Sequence, residues 1–526
     1  MNRSLRFLMG LGTLAILIPA LILVSPGVFG GIFPGGAQDG VEITPNALAA
    51  DTGQGPPQAS TGANLTCSDS DCAGSEADPA ASSAGTDPSP STHDHATTAT
   101  PGTEASTSGS EGQDDHDDHQ GTHGGTQATT PSAASGTITG AACPCTVTST
   151  AELKGEVSLK GDLMVMGGTL VARPGVTVNG NGFQIMFMDG GKADFQGSKT
   201  STWSGNGSNA NVKRDITFRN LRRIMFHEGA GKSILKYFAI LDSGTSTKGD
   251  YSLHFHMNGN TTRGTLVEGV AIVGSKHHAF VPHASHGITF RDTIAINGRC
   301  EAYWWDPPEF QSQSKVNNSN DIIYDHALAD GVRNCPGDDR GWRLSAFNLG
   351  AGSGNTVRNS VARNVNPSHA KNCSGFFWPE LHHRQPSSWT FQNNASYGSE
   401  CNGIFVWQND SETHIVNGFA GDGIEHGAYG NRYDYRNVDV EFVVAHATGW
   451  SVTGGSIDRV VTQRHQFDGP VTFSKVAIGN FVVDNASNDG NKPATYILNG
   501  TGLACGDIQY KTVVPGTRVV IDGADC

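Results

Sequence analysis

Three short segments of the chain share one outline. Ser252-Leu253-His254-Phe255-His256, Ala279-Phe280-Val281-Pro282-His283 and Ala302-Tyr303-Trp304-Trp305-Asp306 each open on a small residue and close on a side chain able to move a proton or bind a metal. Side chains alternate across a strand, so Leu253/Phe255, Phe280/Pro282 and Tyr303/Trp305 are expected to face inward and His256, His283 and Asp306 outward. Stacked strands lie about 4.8 Å apart, which would gather the three outward groups into one column. Cleaving a glycosidic bond needs a proton donor at the leaving oxygen and a base, nucleophile or metal-activated water opposite it. His283 and Asp306, with His256 beside them, are the expected catalytic groups. Alternatively His254, His256, His283 and Asp306 would gather a divalent metal, Ca or Zn, with His254 serving either as ligand or as a sugar contact. A lyase acting on a uronate polymer would instead need a base and a cation, for which Arg263 and Arg291 are candidates. Trp304 could stack on a sugar ring, and His286, Glu301, Glu309 and Glu380 are expected to border the groove. Any one of these histidines also has a plainer reading as a hydrogen-bonded rung of the fold. Convergence of three coils is what favours a site.

The elements that must position this column follow from its spacing. Intervals of roughly 23 to 27 residues are too long for tight hairpins and suit one coil of a solenoid whose strands stack in parallel. Gly375-Phe376-Phe377-Trp378-Pro379 and Gly403-Ile404-Phe405-Val406-Trp407 continue the pattern. A second series, Leu266-Val267-Glu268, Ile288-Thr289-Phe290, Ile322-Ile323-Tyr324, Thr356-Val357-Arg358 and Trp389-Thr390-Phe391, reads as another face of each coil. Asn and Gly at the corners supply left-handed backbone for tight bends, and parallel crossovers are overwhelmingly right-handed. The chain has 68 Gly and 16% charged residues, with no long helical periodicity in its C-terminal two-thirds. The expected fold is an all-β, right-handed parallel β-helix from about residue 146 to the end. A β-sandwich array is the rival, and recurrence at coil length favours the solenoid.

Ahead of it, residues 1–36 hold Arg3, Arg6 and an apolar run from Phe7 to Val24, read as a signal peptide or an uncleaved membrane anchor. Residues 37–142 are rich in Ser, Thr, Gly, Ala, Pro and Asp and are expected to form a disordered acidic tether. Its His93-Asp94-His95 and Asp114-Asp115-His116-Asp117-Asp118-His119 clusters, with His123, could chelate Cu or Zn, against the plainer reading of a solvated linker. The tether carries 15 of the 50 acidic residues and no Lys or Arg, leaving the folded part with 35 acidic and 33 basic residues. Near neutrality removes the electrostatic case for nucleic-acid binding. Ten cysteines in a chain expected to be exported point to disulfides, with Cys300–Cys335, Cys373–Cys401 and Cys505–Cys526 as plausible pairs. Cys67 and Cys72 could close a small loop, whereas Cys143 and Cys145 are too close for a comfortable mutual bridge.

A family resemblance runs through the same residues. Ile224-Met225-Phe226-His227, Ile234-Leu235-Lys236-Tyr237-Phe238, Asp242-Ser243-Gly244, Tyr251 through His256, His278 through His286 and Ala302 through Asp306 occur in an order that resembles the family of the cell-migration-inducing and transmembrane hyaluronidases. The Gly-punctuated strands from Gly155 to about Gly207 resemble that family's eight-glycine domain, so the likeness spans roughly residues 150–310. It implies an eight-glycine-like β-domain at 143–245 forming the first coils and a β-helix with an active-site groove at 246–526. It further implies an extracellular, hyaluronidase-like glycoside hydrolase, secreted or anchored on the outer face of the membrane, with a polysaccharide as partner. The chain differs from the family at Asp250, His278, Glu301 and Asp306. The alternatives are a uronate lyase and a non-catalytic extracellular glycan-binding or adhesion module.

Overall fold

The computed structural model describes residues 132–142, 145–305, 318–336, 344–366, 373–379, 387–407, 414–426, 433–445, 449–463, 469–486 and 492–526, all within one compact unit, Asp117–Cys526. The long strand Cys145–Leu159 turns two corners and pairs in parallel with Leu163–Met166, Thr169–Ala172 and Val176–Asn179, which starts three sheets at once. The first sheet continues through Ile185–Met188, Ile224–Phe226, Leu253–Gly259 and Phe280–Ser285, and then through Tyr303, which bridges Phe280 and Phe347. The second runs through Lys192–Gln196, Ile234–Lys236, Leu266–Glu268, Thr289–Arg291 and Ile323–Asp325. The third runs through Ile216–Arg219, Ala239–Leu241, Ala271–Val273, Ile294–Ile296 and Leu328–Asp330. Among the described residues the coil-to-coil pairings are parallel, and the antiparallel pair Arg518–Ile521 with Ala524–Asp525 sits at the C-terminal end. The fold is a parallel β-helix, as the recurrence of strand patterns predicts.

The corners show why this sequence coils. Between the second and third sheets, Tyr237, Gly269, Asp292, His326, Asn359, Asn393, Gly418 and Asn437 form one column with φ from 52° to 71°. Asn, Asp and Gly tolerate this left-handed conformation best, which accounts for most of the column. Gly269 is also required by space, because a Cβ there would lie 2.3 Å from the Tyr237 ring.

Inside the coils, side chains stack at the strand spacing. Phe187, Phe226 and Phe255 follow one another at 4.6 and 4.7 Å, and Phe280, Tyr303, Phe347 and Phe376 at 5.0, 4.5 and 4.8 Å, with rings within 11° of parallel. Burial of each such side chain contributes about 1.5–3 kcal/mol before cavity effects. The buried Tyr303 hydroxyl is satisfied by Thr293 Oγ1 at 2.9 Å.

The three outer faces differ. The second carries charge pairs such as Lys236 with Glu268 and Arg358 with Asp325. The third is apolar and is covered by Trp203, which packs with Ala271, Ile294, Leu328 and Val361 and stacks on His326 at 3.8 Å. The first carries the histidines.

The disulfides Cys300–Cys335, Cys373–Cys401 and Cys505–Cys526 form as expected. The first described strand, Ser132–Ala142, lies within the stretch expected to be tether and pairs with Cys145–Leu159. Its Gly- and Ala-rich sequence buries Ile138 against the first coil, which a compositional reading of the tether overlooks. Trp305 is buried as expected, but with Ala351 and Trp304 in a satellite cluster rather than in the main core. The apolar run, residues 37–131 with their His-Asp clusters, and Cys143 lie outside the described residues. Among those described, no helix is long and apolar enough to cross a membrane.

Candidate active site

The expected register is the one found: Leu253 opposes Phe280, His254 opposes Val281, Phe255 opposes Pro282 and His256 opposes His283. Leu253, Phe255, Phe280 and Tyr303 fill the interior. His256 and His283 point outward, half-buried, with ring centroids 5.0 Å apart. Directly after each of them the chain bends through a left-handed residue, Met257 at φ 53° and Ala284 at φ 43°. Such non-glycine positions cost about 1–3 kcal/mol each and concentrate at functional sites. Asp306, Glu309 and Glu380 lie outside the described residues. The column extends one coil earlier than expected, because the His227 ring stacks 5.2 Å from that of His256. Carrying the three-segment register back onto Ile224-Met225-Phe226-His227 would have found it.

His254 is 1% exposed although it lies on the outer face. Its ring centroid is 5.1 Å from that of His256 and 6.1 Å from that of His283. Residues 243–250 reach it from the preceding corner. His254 Nδ1–H donates to the Gly249 carbonyl at 3.2 Å, and Arg223 Nη1 donates to the same carbonyl at 3.0 Å. Arg223 Nε also donates to Gln184 Oε1 at 2.7 Å. The Asp250 carboxylate accepts from Arg222 Nε at 2.7 Å, lies 3.4 Å from Arg223 Nη1 and accepts from Thr245 Oγ1 at 2.7 Å. This buried network fixes the Gly249 carbonyl and, through it, the His254 tautomer, which is assigned from that bond. Nδ1 carries the proton, so the lone pair is on Nε2, which is buried and has no hydrogen-bond partner among the described residues. Burial, reinforced by His256, His283 and Arg223, holds the His254 pKa well below its usual value. Burial, together with the charge of Lys248, pushes His283 down to about 4. Both imidazoles are therefore neutral at pH 7. Lys248 precedes Gly249 in the same covering loop, and spacing along the strands offers no signal for it.

A second group adjoins the first. His278 Nδ1 lies 3.2 Å from Glu301 Oε2, and Trp304 stacks on the His278 ring at 3.7 Å. The Tyr251 ring touches this group and His254, with centroids 4.7–5.6 Å from His254, His277, His278 and Trp304. His277 Nδ1 accepts the His278 backbone N–H at 3.0 Å, and burial pushes His277 down to about 3. Glu301 and Trp304 thus support the site's flank, and one face of Trp304 is taken by His278.

The remaining expected residues stand apart. Arg263 is exposed in the corner after the His256 strand, donating to Asp321 Oδ2 and Asn260 Oδ1, each at 2.9 Å. His286 Nδ1 accepts the Asn320 N–H at 3.2 Å. Arg291 sits on the second sheet, in line with Glu268 and Asp325, and so faces away from the histidines.

Among the described residues, His277–His278–Cys300 and His278–Glu301–Cys335 have their ligand atoms within 4.8 Å of one another. Both sets use sulfurs already joined in the Cys300–Cys335 disulfide. The His254–His256–His283 cluster is wider than either set, so closing on one ion would require its rings to turn inward. Its donors are nitrogens, the type zinc accepts, whereas calcium takes oxygens.

No protein-family model matches the chain, and no curated protein matches it. Among solved structures, the crystal structure of a periplasmic alginate epimerase is similar over 72% of this chain and 77% of that chain, at 9% identity and a TM-score of 0.22. A likeness at that level carries no argument about what this chain does.

Proposed function

We propose that the chain is an extracellular polysaccharide-degrading enzyme that cleaves hyaluronan or a related glycan by glycosidic hydrolysis. The observation that carries this reading is the convergence of His256 and His283, 5.0 Å apart on adjacent strands, beside the buried, tautomer-fixed His254. The family resemblance over residues 150–310 supports the substrate class, and three disulfides support an oxidising, extracytoplasmic setting. His283, held neutral, is suited to accept the proton of an attacking water. Asp306, next in the sequence register, is the group assigned to protonate the leaving oxygen. Alternatively, with their rings turned inward, His254, His256 and His283 would hold zinc, which would supply Lewis acidity at the scissile bond, and His283 would then be a ligand and not the base. A second reading, elimination at a uronate, is favoured by Lys248, whose charge acts on His283. A cation there would neutralise the sugar carboxylate while His283 removes the adjacent proton.

The test is product analysis of the full chain on hyaluronan and other glycans, with and without chelator, alongside His256→Ala and His283→Ala. New reducing ends without unsaturated absorbance, absent from both variants, support hydrolysis. Unsaturated products make the enzyme a lyase. Binding without cleavage by the unaltered chain assigns a glycan-binding module instead.

A further inference from the structure

Every methionine among the described residues stands on, or next to, the outer face of the first sheet. The chain has 8 Met; Met1 and Met9 lie in the N-terminal apolar run, and the others are Met164, Met166, Met186, Met188, Met225 and Met257. Register aligns them. Met164 opposes Met186 and Met166 opposes Met188. Met186 opposes Met225, which in turn opposes His254. Phe187 opposes Phe226, and the His227 N–H donates to the Phe187 carbonyl at 2.8 Å, which sets His227 beside Met188. One column of thioethers thus ends at His254, and the other runs into the column of His227, His256 and His283.

The main core is filled without these side chains. The inward positions of the same strands, Leu163, Val165, Ile185, Phe187, Ile224 and Phe226, already fill the core. Met186 and Met225 are only 9% and 4% exposed, yet they belong to neither the main core nor a satellite cluster. A merely covered apolar patch would be served equally by Leu, Ile or Val. Thioether sulfur adds one property those side chains lack, affinity for soft metal ions.

We propose that Met186, Met188, Met225 and His227 form a binding site for a soft monovalent metal ion, Cu(I), adjoining the catalytic histidines through His227, whose ring stacks on that of His256. The four residues occupy a two-by-two block on adjacent strands about 4.8 Å apart, within reach of one ion for side chains as flexible as Met. Three thioethers and one imidazole select Cu(I) over zinc, which prefers thiolate, imidazole or carboxylate donors. The unpartnered Nε2 of buried His254, directly beyond Met225, makes the adjoining surface receptive to a metal as well.

The test is titration of the full chain with Cu(I), buffered by a chromophoric chelator and ascorbate, against the Met188→Leu/Met225→Leu variant. These near-isosteric changes leave the glycan-cleaving residues in place, and the tether's histidines contribute equally to both proteins. The expected result is loss of one Cu(I) equivalent in the variant, together with loss of copper–sulfur scattering in X-ray absorption. Equal stoichiometry and equal sulfur scattering in the two proteins would overturn the proposal. A second measurement needs no variant: Ag(I), a redox-inert mimic, should protect the partly exposed Met188 from peroxide oxidation while Met257, 41% exposed, still oxidises. Identical oxidation of Met188 with and without Ag(I) would equally overturn it.

Discussion

Asp250 is the residue through which the covering loop is locked, so Asp250→Asn tests the scaffold of the site. The carboxylate is 4% exposed and meets two guanidinium groups, Arg222 at 2.7 Å and Arg223 at 3.4 Å. Removing its charge leaves the Arg223 side chain, 14% exposed, with the neutral acceptors Gln184 Oε1 and the Gly249 carbonyl. Removing one partner of a buried ion pair typically costs 3–5 kcal/mol. The two neutral acceptors and the retained Asn side chain place this case near the lower end, about 3 kcal/mol. Gly249 would also be less firmly held, freeing the ring of His254, and loss of such an orienting contact lowers activity about 10–100-fold. The assay is urea unfolding followed by tryptophan fluorescence, paired with glycan turnover under folding conditions. Adding Arg223→Met to Asp250→Asn should recover a large part of the stability, because it removes the stranded charge. A loss below about 1 kcal/mol with unchanged turnover would refute the reasoning, since an exposed pair behaves that way.

Three further outcomes follow from the same structure. His283 and His277 titrate near 4 and 3 in the folded chain against 6.5 when unfolded, so the unfolded state binds more protons between those values. Stability should be full above about pH 6.5 and fall as pH drops toward 4, by roughly 3 kcal/mol for His283 alone, and His283→Gln should flatten that slope; an unchanged slope would show that the ring is not buried in neutral form. Gly350→Ala should lower the melting temperature by the equivalent of about 2–3 kcal/mol, because its Cβ would lie 1.6 Å from the buried Trp305 ring; a neutral result would mean that Trp305 is loosely packed. Cys300→Ser/Cys335→Ser opens a link across 35 residues and should destabilise by roughly 3–4 kcal/mol in urea unfolding, whereas an equal midpoint would show that the coils need no tie there.

Much of this was legible in the sequence because a β-helix repeats its chemistry at coil length. Inward aromatics and outward histidines sit at matching steps of successive strands, so aligning three segments was enough to give the pairing of His256 with His283. The three disulfides were legible because their spacing joins nearby coils. What alternation could not convey is what lies over a strand. His254 sits on the outward side, yet it is buried, with the Gly249 carbonyl and the Tyr251 ring against it, and the hold on Gly249 depends on the long-range contact of Arg223 with Asp250. Lys248 and Tyr251 join the site through the loop that carries Gly249. Arg263 and Arg291 stand apart from the histidines for the complementary reason: each is near in sequence but is turned onto a corner or another sheet, where it meets Asp321 or Asp325. The methionine columns went unread because Met is ordinarily taken as core filling, and their outward placement shows only once neighbouring strands are in register.

The most direct test of the central claim, that the histidine cluster is a glycan-cleaving centre, is kcat/KM of the full chain on hyaluronan oligosaccharides for His256→Ala and His283→Ala, with substrate binding measured in parallel. The account predicts folded variants that still bind the glycan and whose kcat falls at least about 100-fold, the scale of a lost acid–base group. Folded variants that cleave at the unaltered rate would contradict it.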